Sequence, residues 1–173
     1  GMNLLALFFI LISSYLLDAC IFSSLTRKVD TRGRLVCRTY NGSIVPIAGV
    51  EVQLKDWETL PLPHGLLVGN TTTDSFGNYR VSGSNEKRVS PFKFYVVYRI
   101  SCAKNGARTE CAHLENICAK LSDDCVYEKV MRTIDERYYF EENRSHELYD
   151  AHDVNISDSA WKEGKHCKHR RST

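Results

Sequence analysis

No two cysteines of this chain stand in a Cys-x-x-Cys pair, the short spacing on which the common zinc sites depend. Metal binding is therefore the weaker reading of its cysteines. Gly-x-Ser-x-Gly and His-Glu-x-x-His are missing too, so neither a nucleophile elbow nor a zinc-protease helix is written here. Charge of one sign is scarce: 23 Lys and Arg against 21 Asp and Glu leave a net charge of +2. Such a balance creates no global field toward nucleic acid or a membrane, so any basic patch must be local. The chain also lacks an apolar run of the roughly 20 residues that a spanning helix needs. These absences point away from an enzyme, a metalloprotein, a cofactor carrier and a membrane-spanning protein.

The longest apolar run is Leu4-Leu5-Ala6-Leu7-Phe8-Phe9-Ile10-Leu11-Ile12, prolonged to Leu17 and closed by Asp18. Its length suits the h-region of a secretory signal. Small residues at Ala19, Ser23 and Ser24 offer cleavage after Ala19 or after Ser23, and residues 1–23 are read as the leader. Cleavage after Ser23 removes Cys20 and leaves six of the seven cysteines, Cys37, Cys102, Cys111, Cys118, Cys125 and Cys167. An even number suits disulfides in an oxidising compartment, whereas cleavage after Ala19 leaves an odd thiol. Four Asn-x-Ser/Thr sequons, at Asn41, Asn70, Asn143 and Asn155, add to the case for a secreted, extracellular glycoprotein.

The body of the chain alternates with period two, the mark of strands with one buried face. Val50, Val52 and Leu54 alternate with Glu51, Gln53 and Lys55, and Tyr79 and Val81 with Arg80 and Ser82. Asp74-Ser75-Phe76-Gly77-Asn78 before Tyr79 reads as a tight turn with Asp74 as its carboxylate, not as a calcium loop. The run Phe92 to Ile100 is apolar on both faces near Val96-Val97 and is expected to be a central strand. Val126 to Ile134 and Glu147 to Ile156 are two less regular extended candidates. Cys111 to Cys125 changes to a helical period. On a helix, Cys111 and Cys118 lie about 10.5 Å apart, beyond the roughly 7 Å that a disulfide tolerates. Those two are not expected to pair with each other.

After residue 157 the chain turns basic. Lys162, Lys165, Lys168, Arg170 and Arg171 lie within ten residues, with His166 and His169 among them. Residues 158–173 are read as a disordered basic tail that is dispensable for folding and able to hold a polyanion.

Five segments, in order, resemble the nematode transthyretin-like family. They are Arg32-Gly33-Arg34-Leu35-Val36-Cys37, Ile47 to Leu54, Thr73 to Gly83, Glu86 to Cys102 with Pro91 inside it, and Tyr149 to Ile156. The Thr73-Asp74-x-x-Gly77-x-Tyr79 stretch is the most specific of them. There are departures: Ile100 stands where the family usually has a histidine, Thr133-Ile134-Asp135 lacks its usual proline, His152 replaces a glycine, and Cys111 to Cys125 looks like an insertion. The resemblance implies an all-β, transthyretin-like (prealbumin-like) Greek-key β-sandwich over residues 29–157, with a short helical insertion. It also implies an extracellular binding or bridging role, with a protein, lipid or glycan partner. Together with strand position it implies a Cys37–Cys102 disulfide, leaving Cys111, Cys118, Cys125 and Cys167 to pair among themselves. Enzymes of the wider fold that hydrolyse 5-hydroxyisourate end in Tyr-Arg-Gly-Ser; this chain ends His166-Cys167-Lys168-His169-Arg170-Arg171-Ser172-Thr173, so that activity is not expected.

Expressed through a secretory pathway, the protein should begin near residue 20–24 and migrate faster after enzymatic removal of N-glycans. Cytosolic retention with free thiols and no mobility shift would refute the leader.

Overall fold

The computed structural model describes residues 24–57, 65–87, 91–102, 110–121, 125–141, 144–158 and 162–167, with Met131, Arg132 and Lys162 described by backbone alone. The expected leader, 1–23, lies outside them, as do Asn143, Lys168, Arg170 and Arg171. In chain order the described residues form β1 (Leu25–Arg38), β2 (Ile44–Pro46), β3 (Glu51–Asp56), β4 (Leu66–Thr72), β5 (Asn78–Lys87), β6 (Phe94–Ser101), α1 (Ala112–Cys118), β7 (Cys125–Thr133), β8 (Tyr149–Asn155) and β9 (Lys162–Cys167). The described residues are mostly strand, with α1 and a 3-10 turn over Glu136–Tyr138 between them.

The strands make two sheets. In the first, the long β1 pairs antiparallel with β5 and β2 and parallel with β8. The second runs β4-β3-β6-β7-β9, antiparallel throughout. Val29, Leu35, Tyr79, Val81 and Val154 of the first sheet share one core with Val52, Leu54, Phe94, Tyr98 and Ile100 of the second. Removing each such aliphatic or aromatic side chain from water contributes about 1.5–3 kcal/mol. β3 follows its alternation, with Val52 and Leu54 fully buried between the half-buried Glu51 and Lys55. β6, apolar on both faces, lies between β3 and β7 as expected of a central strand.

The sheets touch backbone to backbone where β4 crosses β5. A Cβ on Gly83 would come within 2.6 Å of the Val68 carbonyl oxygen, and one on Gly69 would strike that of Ser82. Only glycine permits this approach. The turn after β4 is fixed by its side chains. Thr73 Oγ1 donates to the Ile47 carbonyl (2.8 Å) and accepts the Val50 N–H (2.9 Å), tying the β4–β5 connection to the entry of β3. Asp74 Oδ1 accepts the N–H groups of Asn78 (2.8 Å) and Phe76 (2.9 Å). The Asn78 bond foremost holds that carboxyl below its ordinary range. The Thr73-to-Gly77 stretch is thus a corner of the fold, and Asp74 is a turn carboxylate.

At the far ends of β3 and β5 an ion pair is sealed inside. Lys87 Nζ lies 2.8 Å from Asp56 Oδ2, with the two side chains 5% and 0% exposed. Asp56 also accepts the Asn85 amide and the Lys93 N–H, while Lys87 donates to the carbonyls of Trp57 and Pro91. Such complete pairing is what makes a buried charge tolerable.

Three disulfides link Cys37–Cys111, Cys102–Cys118 and Cys125–Cys167. The expected Cys37–Cys102 bond is not formed. The insertion comes between them: Cys111 bridges the backbone of Thr39 beyond β1, and α1 carries Cys118 back to the end of β6. The helix separates Cys111 from Cys118, so each takes a different sheet, and the two are not bonded to each other. The helix is shorter than its period suggested, seven residues over Ala112–Cys118. A larger correction concerns residues 158–173. Lys162–Cys167 is no loose tail; it forms β9, an edge strand paired with β7 over its whole length.

α1 buries Leu114 fully, and His113 Nε2 is buried with no hydrogen-bond partner among the described residues. Burial first, and the Lys129 ammonium second, hold this imidazole below its ordinary pKa, against a smaller opposing effect of Glu163. The unfolded chain therefore takes up the proton more readily than the folded one. This contribution to stability is complete above about pH 6.5 and is lost as pH falls through that value toward the lower pKa of the folded state. Urea midpoints measured between about pH 7.5 and 5 should fall less steeply for His113→Leu than for the wild type.

Candidate functional site

Strand alternation turns Tyr127 and Lys129 of β7 inward and leaves Val126, Glu128 and Val130 on the outer face of the second sheet. Register then builds rows across that face. Glu51, Arg99 and Glu128 stand side by side on β3, β6 and β7. Arg99 bonds Glu51 through Nη1 (3.0 Å) and Glu128 through Nε (2.8 Å), and His166 Nε2 lies 3.1 Å from the other Glu128 oxygen. In the next row Val97 stands between Gln53 and Val130, and Tyr95 comes one row further on. Tyr95, Val97 and Val130 form a cluster of their own, separate from the core, with Trp57 packed against it. The Trp57 and Tyr95 rings are tilted at 56° with centroids 6.3 Å apart.

Between these rows and β9 runs a groove of about 160 Å³, with Tyr95, Val97 and Val130 as floor and Lys55, Trp57, Glu128, Lys165 and His166 among its walls. Burial foremost, with the nearby Glu128 and Asp56 charges, pushes the Tyr95 phenol up to about 12, so it stays neutral and a hydrogen-bond donor at physiological pH. The surface therefore combines an aromatic, apolar base with charged walls. A larger groove between Arg27, Phe92, Tyr139 and Arg144 is crossed by ion pairs, because Glu141 takes both Arg27 (2.6 Å) and Arg144 (3.4 Å).

Lys129 adds a buried ionic contact to the ladder that places β9. Its ammonium, 1% exposed, donates to the carbonyls of Ile156 and Asp158 beyond β8 and lies 3.4 Å from Glu163 of β9. Desolvation lowers its pKa, and the Glu163 carboxylate opposes that shift. One side chain thus joins the second sheet, the end of the first and the edge strand. At the other end of β9 the Cys125–Cys167 bond ties the edge strand to β7 covalently.

Of the basic residues that the sequence marks as a polyanion site, Lys165 is exposed opposite Tyr127, and Lys162 stands opposite Val130 by backbone register. Lys168, Arg170 and Arg171 lie outside the described residues. Asn70 is exposed on β4, on the same outer face opposite Gln53, and Asn41 is exposed in a turn where its Oδ1 accepts the Ser43 N–H (3.1 Å). Asn155 is half-buried at the end of β8, its Oδ1 accepting the Ser157 N–H (3.0 Å). Sequence reasoning misses Trp57, Tyr95, Arg99 and Glu128 as site residues. A signal is present in the Phe92 to Ile100 run, whose apolar residues on the outward face have to meet something. Among the described residues no helix is long and apolar enough to cross a membrane, and no three His, Cys, Asp or Glu side chains converge on a metal position.

No family model matches the chain, and no curated protein does. Two solved structures are weakly similar. One is a 9R-lipoxygenase from Cyanothece PCC8801, with TM-score 0.37 and 11% identity over 75% of this chain. The other is an (S)-allantoin synthase, with TM-score 0.30 and 17% identity over 82% of this chain. The match spans only 16% of the first protein and 45% of the second. Likenesses of this depth carry neither a fold family nor an activity to the chain.

Replacing Lys129 by Met leaves the Ile156 and Asp158 carbonyls without their buried donor and Glu163 without its partner. Lys129→Met should cost about 2–4 kcal/mol in denaturant unfolding and raise amide exchange in residues 156–158 and 162–167. Unchanged stability and exchange would mean that the ammonium is not what fixes β9.

Proposed function

We propose that this chain is a secreted extracellular binding module of the transthyretin-like type, and that it receives an acidic glycan along the β9 side of its second sheet. The observation that carries this reading is the placement of basic residues on β9 beside an aromatic groove. His166 stands in the wall of a groove floored by Tyr95, Val97 and Val130 with Trp57 alongside, and Lys165 borders it from the register position opposite Tyr127. A sugar ring presents an apolar C–H face to an aromatic side chain, while its sulfates or carboxylates seek cations. The acidic side chains of the groove are already engaged, Glu128 by Arg99 and His166 and Glu163 by Lys129, which reduces their repulsion of an anion. β9 also leads directly to Lys168, Arg170 and Arg171, which continue the cationic track in the sequence. The disulfides in a small all-β domain suit an extracellular setting.

The competing reading is a structural secreted protein with no specific ligand. Truncation after Ser159 does not separate the two, because it removes β9 and leaves Cys125 unpaired. The cleaner variant neutralises Lys165, Lys168, Arg170 and Arg171 to Gln and keeps Cys167. On a heparin column at about 50 mM salt it should bind about tenfold more weakly than the wild type, and the difference should vanish near 500 mM as the Debye length shrinks. Trp57→Ala should weaken binding at both salt concentrations, since stacking is not screened. Equal binding by all three proteins at both concentrations would leave the structural reading standing.

A further inference from the structure

We infer that the Cys125–Cys167 disulfide is a reducible clamp on β9, and that its opening releases this edge strand while the rest of the sandwich stays folded. The three disulfides differ in exposure. Cys37 and Cys111 are both fully buried, and the second bond joins Cys102, 4% exposed, to the half-buried Cys118. Cys167, by contrast, is exposed at the end of an edge strand, bonded to the buried Cys125. Exposure gives an attacking thiolate access to the Cys167 sulfur. Lys165, exposed two residues before Cys167 on the same strand, favours the approach of that anion.

The chemistry requires a dithiol reductant, either a small molecule or a protein thiol oxidoreductase. Its first thiolate attacks Cys167 Sγ, the Sγ–Sγ bond breaks, and Cys125 leaves with the electron pair and takes up a proton. The reductant's second thiol then attacks the mixed disulfide and frees Cys167. Two electrons and two protons pass to the protein, and the reductant ends as a disulfide.

Topology sets the consequence of that opening. β9 pairs with one strand only, so its departure breaks one ladder of six residues and no other. The other two disulfides anchor α1 to β1 and β6 and are not on this path. Without the clamp β9 is held by that ladder, by Glu163 on Lys129 and by His166 on Glu128. Its loss removes the wall that carries Lys165 and His166 from the groove. The redox step stands independently of the ligand; only its effect on glycan binding rests on the function proposed above.

The test is a titration of the full chain with dithiothreitol, followed by alkylation, peptide mapping and amide exchange, with heparin binding measured on the same samples. Cys125 and Cys167 should be alkylated at about tenfold lower reductant than the other four cysteines. Exchange should rise in residues 162–167 with β1, β3 and β6 unchanged, and heparin affinity should fall. The paired variant Cys125→Ser with Cys167→Ser should show the same exchange pattern without reductant. The inference is overturned if Cys102–Cys118 opens first, if all three bonds open together, or if β9 stays protected once its bond is open. Selective opening with β9 released and heparin binding unchanged would uphold the clamp and sink the glycan reading.

Discussion

A single buried ammonium sets the geometry on which the candidate site depends. Lys129 sits inward on β7, where its strand position demands an apolar side chain, and satisfies its charge on two carbonyls beyond β8 and on Glu163 of β9. These partners belong to different parts of the chain. The last turn of the first sheet is therefore tied to β7 by the same group that adds to the ladder and disulfide holding the edge strand. An apolar residue there would pack with a smaller desolvation cost, but it would specify neither the position of the turn nor the register of β9.

The opposite side of the sandwich follows the same logic with other residues. Asp56 and Lys87 neutralise each other in the interior, and their further hydrogen bonds go to the amide or carbonyl groups of neighbouring segments. Where β4 crosses β5, Gly69 and Gly83 let two backbones meet directly. Two sheets whose inner faces are aliphatic and aromatic layers thus acquire a fixed relative position from a few polar and side-chain-free points. The apolar core supplies most of the driving force and says little about alignment.

The outer face of the second sheet owes its character to that alignment. With β9 in place, the row Glu51, Arg99, Glu128 ends on His166, and the apolar cluster of Tyr95, Val97 and Val130 gains a charged wall. Without β9, β7 would be a free edge and its basic residues would no longer line the groove. A groove that depends on the least supported strand is also the groove most easily altered, so on the proposed reading the bond at Cys167 bears on binding as well as on stability.

The sequence alone determined that the described part of the chain is mostly strand with a short helix, that Val52 and Leu54 of β3 face the core, that β5 alternates, that β6 is central and that Cys111 and Cys118 do not bond. All of these rest on periodicity or on helical rise, which are local. The Thr73-to-Gly77 turn was legible for the same reason. The disulfide partners and the strand β9 were not. Which sulfur meets Cys37 depends on how an insertion folds over the end of β1, and Lys162–Cys167 reads as a solvated basic run because its residues carry almost no apolar content. Only the tertiary structure supplies what makes that run a strand, an unpaired edge on β7, a buried lysine awaiting a carboxylate and a cysteine directly opposite Cys125. The groove beside it was hidden for the same physical reason: its walls come from β3, β6, β7 and β9, and no local pattern brings them together.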